Sequence, residues 1–212
     1  MLHPGKMLIK ALASSAASPP AMPASFSGCE PPGPGPHASY IPNVMVHTHL
    51  GRTARFYQDL IREKIVLIHC MSIRDESSCS NLETVSRLQS LIGDDLGRKV
   101  FIYSITTDPE HDDAAALRRF AEKYKARDGW LFLTGEPADL MLLRARLFTH
   151  DGGQDCSMHL IRYGNESVGV WGGVSVTTGA ESIAQRVSWI TPGEVPSGPP
   201  TRGGPWPLSA EG

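Results

Sequence analysis

Four cysteines, Cys29, Cys70, Cys79 and Cys156, are the side chains best equipped for chemistry in this 212-residue chain. They are too few for a disulfide scaffold at this size, and no two of them form a C-x-x-C redox pair. Cys79 has the most telling setting. Ser80-Asn81-Leu82-Glu83 follows it with the S-x-x-E form of a capping box, so Cys79 precedes a helix N-terminus. There the helix dipole and free N–H groups favour a thiolate, which suits a nucleophile or a metal ligand. The bland reading is a thiol with no role. Cys70 ends an apolar run and reads as a small core residue. Phe26-Ser27-Gly28-Cys29 is faintly similar to a lipoprotein cleavage box. His47 and His49 form an H-x-H whose strand alternation would put both rings on one face, able to chelate, although exposed surface histidines are the commoner case. Asp108, Pro109, Glu110 and Asp112 look chemical but read as structural, with Pro109 stiffening a turn.

The elements that must position these residues alternate between strand and helix. Residues 64–70 form a short β-branched apolar run, expected to be a buried strand ending at Cys70. A helix follows, with Leu82, Val85, Leu88 and Ile92 as its stripe and Gly93 and Gly97 near its end. Residues 100–105 are a second buried strand. Asp112 or Asp113 then caps a helix with Leu117, Phe120, Ala121 and Tyr124 on one face. Residues 130–133 are a short strand, and Pro137 opens a helix whose inner face carries Leu140, Leu143 and Leu147. Residues 159–163 and 167–171 read as a hairpin turning at Gly164-Asn165, and residues 181–190 as a final helix. The order specifies an α/β fold with a mixed central sheet flanked by helices.

Residues 18–38 and 191–208 are rich in Pro and Gly. The expected organisation is a disordered leader over 1–39 with a weak signal-like pattern, a folded domain over 40–190, and a disordered tail over 191–212. Net charge is −2 and evenly mixed. It offers no footprint for nucleic acid or an anionic membrane. No apolar stretch is long enough to be a spanning helix.

Four stretches resemble the SCO/SenC family of thioredoxin-like, copper-handling proteins. Ile41-Pro42-Asn43, Gly51-Arg52 and residues 55–60 are similar to its N-terminal hairpin. Residues 103–112 resemble its DPE-x-D signature, residues 129–135 its W-x-F-L-T-G strand, and residues 162–166 the last hairpin of a bacterial subgroup. The resemblance implies a thioredoxin-like sandwich. It also implies delivery of copper to cytochrome oxidase, or thiol reduction of its copper site, by a metallochaperone or redox-binding protein rather than a conventional enzyme. The implied partners are a cytochrome oxidase subunit or a thiol-disulfide protein, and the implied location is periplasmic or membrane-attached.

That family binds copper through a C-x-x-x-C-P motif after the first core strand and a distant His before the last hairpin. Two thiolates and an imidazole suit Cu(I), a soft ion. In this chain Cys79 matches the second motif cysteine, Asp75 falls at the first and Ser80 at the proline. The distant His position falls on Cys156 or Ser157, with His159 following as a further imidazole on the next strand. The implied metal set is therefore Cys79, Cys156, Asp75 and His159, with Cys79 and Cys156 as the redox-active pair. A carboxylate at Asp75 is a poor Cu(I) ligand, so copper, as Cu(I) or Cu(II), is expected to be held weakly or lost. Two other readings stand. One is a thiol oxidoreductase or peroxidase using Cys79 alone, although Glu76 replaces the Thr of a peroxidase Thr-x-x-Cys. The other is a non-catalytic interaction domain whose metal site has decayed.

Overall fold

The computed structural model describes residues 35–74, 81–149 and 158–192, all within one compact unit. In chain order its elements are β1 (Met45–Thr48), β2 (Thr53–Arg55), a wide π-type turn (Phe56–Ile61), β3 (Ile65–Met71), α1 (Asn81–Ile92), β4 (Val100–Thr106), α2 (Ala114–Lys123), β5 (Trp130–Gly135), α3 (Pro137–Phe148), β6 (Leu160–Asn165), β7 (Val170–Ser175) and α4 (Ala180–Ile190).

Among the described residues the strands form one sheet, in the order β2-β1-β5-β4-β3-β6-β7. The three central strands are parallel, and β1 and β6 join their two sides antiparallel. Both faces are covered, which is why β3 reads as a continuous apolar run rather than an alternating one. Ile65, Leu67 and Met71 of β3 pack with Leu82, Val85 and Leu88 of α1, with Leu117 and Phe120 of α2, and with Ile183 and Val187 of α4. Val66, Ile68 and Cys70 point the other way, into a second core with Phe56 and Leu60 of the π-type turn and Leu140, Leu143 and Leu147 of α3. The mixed sheet between helices is the α/β sandwich expected from the sequence.

The last hairpin differs from its sequence reading. Its second strand is Val170–Ser175, not 167–171, and Asn165 pairs with Val170, so the turn lies beyond Gly164-Asn165. Gly164 sits mid-strand beneath the Trp171 ring, where any Cβ would collide with the indole. The glycine that makes the turn is Gly169, at φ +68°. Asn165 accepts the Ser167 amide at 3.0 Å and donates to the Ile190 carbonyl at 2.7 Å.

The two aspartates before α2 divide their work. Asp113 is the cap, accepting the Ala116 amide at 2.6 Å. Asp112 is buried and serves another purpose.

Candidate functional site at the C-terminal ends of the central strands

The loops that leave β3 and enter β6 hold most of the expected site residues. Cys79, Asp75 and Cys156 lie outside the described residues, as do Ser80 and Ser157. The described flanks define what holds each loop. β3 and β4 end together, Met71 opposite Thr106. The carbonyl of Met71 accepts the Thr107 amide at 2.8 Å. Two residues on, the Ile73 amide donates to Asp112 Oδ2 at 3.3 Å, and the same oxygen accepts the Thr106 hydroxyl at 2.5 Å. Arg74 reaches Asp108 at 3.6 Å, and Asp108 also takes the His111 ring at 2.7 Å. The DPE-x-D stretch is thus the anchor for the loop that leads to Asp75 and Cys79. Asp112 is 2% exposed, and its partners are the ones a buried carboxylate needs.

The second loop rejoins the sheet beside the first. In the antiparallel β3–β6 register Ile68 faces Arg162, so continuing it sets Leu160 beside Cys70. Met158, the first described residue after the loop, packs against both cores. His159 is exposed in the turn just before β6, and its carbonyl accepts the Val176 amide at 3.0 Å. It stands one residue ahead of the strand on which the sequence had put it.

Among the described residues no three His, Cys, Asp or Glu side chains gather as a metal cluster. The fit to copper therefore rests on donor chemistry: two thiols and an imidazole suit Cu(I), and the carboxylate does not. Cys70 is fully buried, in no disulfide, and belongs to the core as expected. The H-x-H does not form a chelating face. β1 ends at Thr48, so alternation breaks before His49. His47 is exposed and bonds Thr53 at 3.1 Å. His49 is buried; its amide donates to the Phe132 carbonyl at 2.9 Å and its Nδ1 accepts the Phe132 amide at 3.1 Å. The ring nitrogen thus extends the β1–β5 ladder by one rung. Burial, with the Arg118 charge nearby, lowers the His49 pKa.

Two buried polar groups had no counterpart in the sequence reading. His69, on β3, is fully buried, and its Nε2 lies 2.6 Å from the Ser104 hydroxyl. Trp130 Nε1 donates to the same hydroxyl at 2.8 Å. Indole N–H can only donate, so Ser104 Oγ accepts from Trp130 and shares its remaining hydrogen-bonding capacity with His69 Nε2. His69 Nδ1 has no hydrogen-bond partner among the described residues. Burial pushes the His69 pKa down to about 4, with the Cys70 backbone opposing. The signal available was a histidine inside an otherwise apolar strand.

Glu166 is the second. Its carboxylate is fully buried and accepts the His37 amide at 2.7 Å, the His37 ring at 3.0 Å, the Tyr57 hydroxyl at 2.8 Å and Trp171 Nε1 at 2.8 Å. Burial works to raise its pKa, but these donors outweigh it and hold the carboxyl below its usual value. The group fastens residues 35–41 to the hairpin, far from the candidate site.

Comparison with known proteins agrees with this architecture. The copper-bound ScoI of Bradyrhizobium japonicum is 18% identical, with a TM-score of 0.55, and the match covers 69% of this chain and 96% of that one. A SCO1/SenC family lipoprotein from Bacillus anthracis is 16% identical, with a TM-score of 0.58 over 71% of this chain and 94% of that one. Copper-bound yeast Sco1 is 16% identical, with a TM-score of 0.52 over 72% of this chain and 88% of that one. These likenesses establish a thioredoxin-like Sco fold. No curated protein matches the chain in sequence. The SCO1/SenC family model matches residues 73–150, from the anchored start of the Cys79 loop, through the DPE-x-D stretch, to the end of α3. Over those residues the chain is similar to the SCO1/SenC family, on the fold that the Sco structures share.

Proposed function

We propose that the protein handles copper through thiols, in the service of cytochrome oxidase copper-site assembly, with a ligand set altered from the family pattern. Copper is cargo in this reading. Cys79 and Cys156 share Cu(I), His159 is a supplementary imidazole, and Asp75 occupies a ligand position without contributing a soft donor. Binding would release the thiol protons, so affinity rises with pH. The observation that carries the reading is the nearness of the two loop flanks: Asp112 holds Ile73 at the start of one loop, while β6, which follows the other loop, pairs with β3 up to Ile68 opposite Arg162.

The same two thiols also suit a redox role. Their oxidation to a disulfide gives up two protons and two electrons, which reduce the disulfide of a thiol-disulfide partner. Relatives that are lipoproteins or hold copper favour an extracytoplasmic or membrane-attached setting, and no described helix is long and apolar enough to cross a membrane.

The test is Cu(I) titration of the fully reduced protein, with and without prior alkylation of its thiols. One copper per chain, lost on alkylation, supports the proposal. Thiol reactivity without copper binding favours the lone-thiol reading, and inertness in both assays favours a decayed site.

A further inference from the structure

At the opposite end of the sheet from the candidate site, the strands β3 and β4 begin side by side, Ile65 opposite Val100. The segments leading into them carry Arg62 and Lys64 on one side and Arg98 and Lys99 on the other. Together with Glu63, Phe101, Asn165, Ser167 and Pro192 these line an open concavity of about 510 Å³. Three acidic groups temper the charge: Glu63 in the lining, Asp95, paired with Lys99 at 3.4 Å, and Asp59, whose charge acts on Lys64. The local balance is still positive in a chain whose total is −2. Folding creates this patch, since the two basic pairs are more than thirty positions apart in sequence. Lys64 is half-buried, its ammonium 5.2 Å from the centre of the Phe101 ring, and burial lowers its pKa.

Apolar groups rim the same end. The tip of the β6–β7 hairpin exposes Val168 at 61%, and Trp189 is 70% exposed, one residue before the Ile190 carbonyl that holds Asn165. Pro36 rests against Gly169 at that tip, and the buried Glu166 secures His37 beside it. Basic residues around a concavity, an exposed Trp and an exposed aliphatic tip are the complement of a lipid interface. The cations attract headgroup phosphates, and the indole sits at headgroup depth.

We propose that this face docks on a bilayer rich in anionic phospholipid, with headgroup phosphates in the basic concavity and Val168 and Trp189 at the interface. β3 and β4 each run seven residues from this face to the loops of the candidate site. At about 3.3 Å per residue, docking would hold those loops about 20 Å above the contact plane, open to a partner.

The full chain, with vesicles of phosphatidylglycerol and phosphatidylcholine, tests this by co-sedimentation. Binding should need phosphatidylglycerol and weaken as salt rises. The double variant Arg98→Glu, Lys99→Glu should lose about tenfold or more in affinity, while Arg98→Lys, Lys99→Arg retains it. Trp189→Ala should weaken binding at unchanged salt dependence. All these positions are exposed, and an unchanged melting temperature confirms the fold of each variant. Equal binding by the charge-reversed protein, or no binding to anionic vesicles, would overturn the proposal. Displacement of the protein from vesicles by millimolar glycerol phosphate would overturn it too, by making a free phosphate compound the occupant.

Discussion

Asp112 Oδ2 accepts the backbone N–H of Ile73, 39 positions earlier in the chain, at 3.3 Å, while also accepting the Thr106 hydroxyl at 2.5 Å. Asp112→Ala would strand both donors in a buried setting, at a cost of about 2 kcal/mol. For a domain of this size the melting temperature should fall by about 4–8 °C. Asp112→Asn, which keeps one acceptor oxygen, should lose less. Amide exchange at Ile73, followed by NMR, should quicken in both variants, and an unchanged rate would show that the carboxylate does not hold this loop.

His69 should make the protein acid-sensitive over a defined window. Its ring stays neutral in the fold down to about pH 4, whereas in the unfolded chain it takes a proton near pH 6.5. Between those values the unfolded state binds more protons, so stability falls as pH falls. From pH 7 to pH 5 the loss from His69 is about 2 kcal/mol. His49, whose pKa is also lowered, adds in the same direction. Glu166, with a lowered carboxyl pKa, contributes its own loss only as pH falls below the usual carboxylate value. Urea unfolding at pH 7 and pH 5 should show a smaller difference for His69→Phe than for the natural chain. The same pH slope in both would remove His69 as its cause.

The strands and helices were legible because burial on both faces leaves a local trace. Residues 65–71 are apolar in succession apart from His69, and Leu82, Val85 and Leu88 recur at helical spacing. The hairpin turn was misplaced because Gly164 looks like a turn residue while its lack of a side chain serves the Trp171 ring. Of the H-x-H, His47 is exposed as the commoner reading had it, but His49 is buried, because alternation holds only while the strand lasts and β1 stops at Thr48. Cys79 could be singled out from the helix signal beside it. The His69–Ser104–Trp130 chain could not, since its partners are 35 and 26 positions apart and nothing local marks a hydrogen bond between strands.

Restoring a soft donor should strengthen copper binding. Asp75→Cys is expected to raise Cu(I) affinity by at least tenfold, and Cys79→Ser to lower it, in competition titrations against a Cu(I) chelator. If Asp75→Cys binds Cu(I) no better than the natural chain, position 75 does not face the metal.

Mild oxidation should join Cys79 to Cys156. Two thiols that share one metal can form a disulfide where their Cα atoms lie within roughly 4.4–6.8 Å, and Cys79, next to a helix N-terminus, would be the attacking thiolate. Peptide mapping of the oxidised protein should find that crosslink dominant. Cys70 should stay unmodified, being wholly buried. A crosslink through Cys70, or two thiols that remain open to alkylation after oxidation, would refute the pairing.

Among the described residues the DPE-x-D stretch makes its bonds within the protein: Asp112 holds Thr106 and Ile73, and Asp108 holds His111 and Arg74. None of these bonds requires a metal. A chain could therefore exchange its copper ligands and keep this stretch intact, because the loop must be tied down whatever chemistry it carries. Read across genomes, the motif is a marker of ancestry and architecture, and a census of copper carriers that counted it alone would enrol proteins that have changed trade.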